Sequence, residues 1–262
     1  MAIWLTPAFF LTAALYASVG FGGGSTYNAL LALAGLDYRL LPAVALTCNI
    51  LVVAGGCWRF HQAGLMPWRR ALPLVLVSAP FAALGGLTPI KEAMFLTLLA
   101  ASLVVAGLAL LLQKEGDPAP MPSPLPAAPE ATAGRMTGAS AMVTGAGIGY
   151  LAGLVGIGGG IFLAPYLHIT RWASARQIAA TASLFILINS LAGLGGQLVK
   201  LGRSGTLPDL AVYWPLALAV VIGGQIGSVI GIRVLPPVVV KRATGVLILY
   251  VAGQLAWKQM FG

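Results

Sequence analysis

Two runs of three glycines, Gly22-Gly23-Gly24 and Gly158-Gly159-Gly160, stand inside apolar segments half a chain apart. Each closes the pattern Val-Gly-x-Gly-Gly-Gly, VGFGGG from Val19 and VGIGGG from Val155. A glycine costs a helix interior about 1 kcal/mol relative to alanine, so three in succession are expected to break the helix. The break exposes backbone N–H groups, and the half-helix that restarts beyond it turns the positive end of its dipole inward. Such a site binds an oxyanion without a buried cation. A Lys or Arg at the bilayer centre would instead cost about 2.5–3.5 kcal/mol on insertion scales. The backbone candidates are Gly22, Gly23 and Gly24 with Ser25, and Gly158, Gly159 and Gly160. Close helix packing is the other use of glycine in membranes, but it spaces glycines by four. Gly223, Gly227 and Gly231 follow that second pattern and are read as a packing face, with Gln225 and Ser228 beside it.

Downstream of each glycine run, at a similar spacing, comes a segment with neutral donors: Thr47 and Asn49 in Ala-Leu-Thr-Cys-Asn, then Thr181 and Ser183 in Ala-Ala-Thr-Ala-Ser. Asn189 and Gln197 follow on the second of these segments. Neutral hydroxyl and amide groups suit a site that binds an anion and then releases it; the alternative is back-bonding of Thr and Ser to their own helix. Cys48 reads as a small packing residue. Arg59 with His61, and Lys91 with Arg233 at matching positions of the two halves, are candidates for a vestibule or gate, against ordinary placement of cations at segment ends.

The elements that must position these residues are membrane helices. Only 8% of the 262 residues are charged and 59% are hydrophobic, whereas soluble domains carry about 25% charged residues. Met1–Leu36, Ala71–Ile90, Ala93–Gln113 and Leu210–Ile232 carry no charge, and about 20 residues cross a bilayer core. A cleaved signal peptide is not expected from the uncharged N-terminus. The six acids, Asp37, Glu92, Glu115, Asp117, Glu130 and Asp209, fall at segment ends or in loops, which points away from a cation carrier and towards an anion. The +9 net charge is scattered over segment ends rather than clustered on one face, so no nucleic-acid partner is expected. Cys48 and Cys57 lie nine residues apart on one expected helix, and no metal-ligand or catalytic pattern is present; no metal, cofactor or enzymatic activity is expected. Trp4, Trp68, Trp172, Trp214 and Trp257 near segment ends read as interfacial aromatics. The partners implied are a small anionic substrate and the lipid bilayer.

The chain reads as all-α and integral to the membrane, in two homologous halves: residues 1–113, a Pro-rich linker 114–136 with six prolines, and residues 137–262. Further matched landmarks are GGLTPIK from Gly85 with GSVIGIR from Gly227, and Val105-Ala-Gly107 with Val251-Ala-Gly253. Each half has four apolar segments, roughly 3–36, 40–60, 68–90 and 92–112, then 138–169, 175–200, 210–232 and 236–258. The first of each would span about 50 Å as one helix, too long for one crossing and too short for two. It is either a re-entrant hairpin or a long, tilted, broken helix. If all eight segments cross, the cations divide 8 against 7 and set no orientation. If the first of each half is re-entrant, Arg39, Lys91, Lys200, Arg203 and Lys258 lie on one side and the other ten cations on the other. The second layout shows the positive-inside bias, with a cytoplasmic linker, both termini outside and inverted halves.

The doubled glycine pattern, each followed by Ala-x-Thr-x-(Asn/Ser), resembles the sulfite exporter TauE/SafE family, also called the TSUP family, over essentially the whole chain apart from the linker. The resemblance implies a small multi-pass carrier of sulfur-containing anions such as sulfite or organosulfonates, in the plasma membrane of a bacterium, its inner membrane. A passive anion channel with the same site, or a carrier of another small organic anion, is the competing function.

Overall fold

The computed structural model describes residues 3–18, 21–112 and 138–230, with 245–246, 249–250, 252–254 and 257 of the last segment. The linker 114–136, Val19, Gly20, Gly231, Arg233 and most of the expected segment 236–258 lie outside the described residues. All regular structure within them is helical: α1 Leu5–Ser18, α2 Gly24–Leu33, α3 Leu41–Gln62, α4 Trp68–Leu87, α5 Glu92–Leu112, α6 Gly138–Val155, α7 Gly160–Ile169, α8 Ala175–Ser204, a 3₁₀ turn Leu207–Tyr213 and α9 Trp214–Ile230. Local chemistry sets several boundaries. Pro42 sits in the first turn of α3, where its missing N–H costs nothing. Ser174 and Gln177 form a capping box at the start of α8, and Gly205, at φ 75°, closes its end. Among the described residues five helices are long and apolar enough to cross a membrane: Leu41–Gln62, Trp68–Leu87, Glu92–Ala109, Arg176–Ser204 and Asp209–Gly227. At 1.5 Å per residue α1 spans only about 21 Å, and α2 and α7 about 15 Å each, well short of the ~30 Å core.

Contacts at backbone distance give the directions of these helices. Gly145, Gly149 and Gly153 of α6 sit against the backbone of Leu74, Ser78 and Ala82 of α4, so these two helices run parallel. Gly223 and Gly227 of α9 sit against the carbonyls of Phe10 and Ala14, so α1 and α9 run parallel as well. Glycine allows this approach because a Cβ at those positions would meet backbone atoms. Helix α1 therefore packs on α9, and α6 on α4. Gly85 and Gly227 are equivalent in this arrangement: Gly85 meets the carbonyl of Tyr150, Gly227 that of Ala14.

The bundle has two ends. At one, Tyr38, Arg39, Pro89, Ile90, Lys200 and Ser204 surround a single cavity. At the other, Met66, Ala71, Leu167, Trp172 and Ile178 cluster, and Arg70 donates to the Trp172 carbonyl at 3.2 Å. Helix α3 runs from the Arg39 end to the Arg70 end, and α8 runs the opposite way. A layout in which every segment crosses would put Arg39 and Lys200 on opposite faces, and likewise Arg70 and Trp172. Trp172 departs from the interfacial placement expected of it: it is buried, at 5% exposure, because the Arg70 end closes over it. Trp4, Trp68, Trp214 and Trp257 are exposed.

Candidate functional site at the glycine breaks

Both glycine runs break the helix by turning the chain back on itself. Gly23 (φ 83°) and Gly159 (φ 79°) are the N-caps of α2 and α7 and lie in the left-handed region, where a side chain costs about 1–2 kcal/mol. A methyl group on Gly23 would stand 3.2 Å from Tyr16 and 3.3 Å from Thr12 of α1; one on Gly159 would stand 3.0 Å from Ile148 and 3.1 Å from Ala152 of α6. A straight broken helix would carry Gly23 roughly 16 Å past Thr12. Instead α1–α2 and α6–α7 each form a V. Tyr27 of α2 stacks on Phe9 of α1 with ring centroids 4.8 Å apart, and Tyr16 Oη lies 2.8 Å from Thr26 Oγ1.

At each break the first N–H groups of the new helix have no intrahelical acceptor, and a glycine N-cap brings no capping side chain to either. The exposed carbonyls on the other side of the second break are occupied. Asn28 of α2 donates to Val155 O at 2.8 Å and Gly156 O at 3.1 Å. Gln197 of α8 donates to Gly153 O at 2.9 Å.

Asn49 lies between the two breaks. Its side chain is pressed against Gly22 and Gly24 of the first, and its Nδ2 would be 2.9 Å from a methyl group on Gly158 of the second. Neither Oδ1 nor Nδ2 has a hydrogen-bond partner, although the residue is fully buried. Ser190 Oγ, 3.0 Å from the same point at Gly158, is likewise buried and unpartnered. Both amide atoms of Asn189 are in the same condition. Leaving a buried polar group unpaired costs about 1–3 kcal/mol. Asn49 is eight residues from the start of the 22-residue α3, and Ser190 stands at the middle of the 30-residue α8. The cluster is therefore at mid-depth of the bundle.

The other sequence candidates fall in several places. Ser25 is buried in the first turn of α2. Thr47 and Asn49 are two residues apart on a helix and face different ways: Thr47 lines a cavity of about 250 Å³ between α3 and the 3₁₀ turn with α9. Its hydroxyl donates to Ala43 O, as that of Thr181 does to Gln177 O, both at 2.8 Å. Ser183 is buried, one turn before the Ile186 that meets Gly158 and Gly160. Arg59 is exposed at the Arg70 end, within reach of Gln225 across Gly55. Lys91 is exposed beside the cavity of the Arg39 end.

The spatial register between the halves differs from the one suggested by the Ala-x-Thr-x-(Asn/Ser) match. Gly22 meets Asn49 and Val53, while Gly158 meets, from its own half, Ile186 and Ser190; Gly24 meets Asn49, and Gly160 meets Ile186. Asn49 is thus equivalent to Ile186 rather than Ser183, and Val53 to Ser190. That slip of three residues, nearly one turn, is why the sequence match pairs Thr181 with Thr47, whereas Ser190 stands opposite Val53 and has no polar counterpart that a match could find. Asn28 was also overlooked; its one sequence signal is its place four residues beyond Gly24 on the face of a short helix.

The chain matches the family model described as sulfite exporter TauE/SafE over residues 5–255. It is 34% identical over 259 residues, covering 98% of each chain, to a protein of Sinorhizobium fredii (strain NBRC 101917 / NGR234) named "Probable membrane transporter protein y4hK". No solved structure matches significantly. A match of this extent, on a chain whose described residues hold only helical structure and five apolar helices of spanning length, places the protein among multi-pass membrane transporters: it belongs to the sulfite exporter TauE/SafE family.

Proposed function

We propose that this protein carries a small oxyanion of the sulfite or organosulfonate class across the inner membrane of a bacterium, by alternating access around the two glycine breaks. The observation that carries the reading is Asn49: a buried, neutral side chain with both polar atoms unpartnered, touching both breaks at mid-depth. The N-termini of α2 and α7 offer unpaired N–H groups and positive dipole ends to an oxyanion, while Asn49 Nδ2 and Ser190 Oγ add neutral donors. No carboxylate or cation stands among the buried polar residues of the described chain, so charge stabilisation falls to backbone and amide dipoles. Such a site holds an anion without the deep trap of a buried ion pair.

In this reading both hairpins are re-entrant, α1–α2 entering from the Arg39 end and α6–α7 from the Arg70 end. The shared Arg39–Lys200 cavity and the Arg70–Trp172 hydrogen bond support it. So does the antiparallel course of α3 and α8, as inverted repeats require. Movement of one hairpin with its partner helix against the other would expose the site first to one face and then to the other. The linker and the Arg70 end are cytoplasmic. The test is counterflow in proteoliposomes: unlabelled sulfite or a two-carbon sulfonate on one side should drive accumulation of the labelled species on the other. Flux without counterflow would favour a passive channel, and no flux of either anion would remove the substrate assignment.

A further inference from the structure

At the Arg39 end, a cavity of about 230 Å³ is lined by Tyr38, Arg39, Pro42, Leu154, Lys200 and Ser204, among others. At about 30 Å³ per water it holds several waters or one small anion with part of its hydration shell. Arg39 and Lys200 both line it and no carboxylate does; Asp37 and Glu92 lie outside the lining but within electrostatic range of Arg39, whose guanidinium stands 5.7 Å over the Tyr38 ring. Asp37, the nearest acid in sequence, accepts the backbone N–H of Arg39 at 2.9 Å, outside the lining. The floor continues inward. Pro42 stands against Gly156 at the second break, and Leu154 is the penultimate residue of the helix that ends there. Asn49 is two turns further along α3 from Pro42.

The register set by the glycine contacts shows that the cation pair of this cavity is not repeated between the halves. The pairs Asn49 with Ile186 and Val53 with Ser190 share a single sequence offset between the halves. By the same offset Arg39 is equivalent to Arg176 at the Arg70 end, but Lys200 is equivalent to Ala63. The second cation has no counterpart at the opposite face.

We propose that this cavity is an outer receiving site for the transported anion, holding a sulfonate or similar oxyanion between Arg39 and Lys200 before it moves to Asn49. The inference rests on the anion-carrier reading and adds to it a sided affinity: the carrier binds its substrate more tightly from the Arg39 end than from the Arg70 end. Two cations at a water-filled rim raise the local anion concentration, an effect that salt weakens.

The test uses Ser204→Cys, at the exposed rim of the cavity, in a Cys48→Ala, Cys57→Ala background reconstituted in phosphatidylcholine vesicles. Labelling by an impermeant maleimide is followed while 2-hydroxyethanesulfonate is added. The sulfonate should slow labelling several-fold. Lys200→Gln and Arg39→Gln should each raise the half-protecting concentration by about fivefold, an effect lost at high salt, while Asn49→Leu should block flux and leave protection intact. Absence of protection at concentrations that saturate transport would overturn the receiving site and leave the Asn49 reading standing. Loss of protection together with flux in Asn49→Leu would overturn it too, by making the two sites one. Protection by anionic lipid in the vesicle but not by the free sulfonate would overturn it in favour of a headgroup site. Normal flux in Asn49→Leu would instead refute the central site, whatever happens at Ser204.

Discussion

Asn28 of the first half donates from Nδ2 to the carbonyl of Val155 in the second, at 2.8 Å and across 127 residues of sequence. The bond satisfies the end of α6 where the glycine break leaves its carbonyls without helical donors, and it joins the first hairpin to the second.

Replacing Asn28 by Ala should therefore destabilise the protein rather than alter its selectivity. The carbonyls of Val155 and Gly156 would lose a buried donor, at a cost of about 1–3 kcal/mol. Thermal unfolding of purified Asn28→Ala should begin several degrees lower, with the apparent affinity for substrate within about twofold of wild type. An unchanged melting curve would mean that another donor replaces the amide.

Asn49→Leu should abolish transport while the protein still folds. Leucine keeps the branching of asparagine at Cγ and removes two unpartnered polar atoms, while its larger volume presses on Gly22 and Gly24, so flux is read per folded molecule. Asn49→Asp should also fail, because a carboxylate at the breaks repels an oxyanion. Flux per folded molecule should fall by at least about tenfold in both, equivalent to about 1.4 kcal/mol. Wild-type flux in Asn49→Leu would remove Asn49 from the site.

Substitutions of glycine should separate into two kinds. Gly158→Ala meets Asn49 and Ser190 and should reduce flux per folded molecule. Gly23→Val adds a β-branched side chain at φ 83° and should do the same, with some loss of stability from strain of about 1–2 kcal/mol. Gly227→Val drives into the backbone of Ala14 and should lower folded yield, leaving the molecules that do fold active. Equal loss per folded molecule in all three would deny the breaks a special role.

Thr47→Val and Thr181→Val should change little. Each hydroxyl already donates to its own helix, to Ala43 and Gln177, and Val keeps the shape. Flux within about twofold of wild type is expected, since less than about 0.5 kcal/mol is at stake. A loss of tenfold would restore these threonines as direct substrate contacts.

Single cysteines in a Cys48→Ala, Cys57→Ala background would test the topology in intact cells. An impermeant reagent added outside should label Asp37→Cys and Ser204→Cys and spare Arg171→Cys and Leu125→Cys. Labelling at 125 with protection at 204 would reverse the orientation.

Much of this protein is legible in its sequence, because a membrane leaves few choices. A chain with 8% charged residues must satisfy its backbone within helices, and hydropathy alone marks the segments now seen as α3, α4, α5, α8 and α9. The glycine runs announce the breaks at Gly23 and Gly159, since few other residues would take the left-handed backbone found there. Charge placement also favours hairpins over a long tilted helix. Tertiary structure decided what those elements meet. Thr47 and Asn49 belong to one short motif, yet two steps along a helix turn their side chains to nearly opposite faces, Asn49 to the glycines and Thr47 to another cavity. The register of α8 against the second break is set by Ile186 and Ser190 packing on Gly158, which a three-residue slip in the sequence match conceals. Asn28 reaches Val155 only because α1–α2 folds back, and Arg39 shares a cavity with Lys200 only because α3 and α8 run in opposite directions. Composition and periodicity are local quantities, whereas these contacts depend on the relative rotation and direction of helices far apart in the chain.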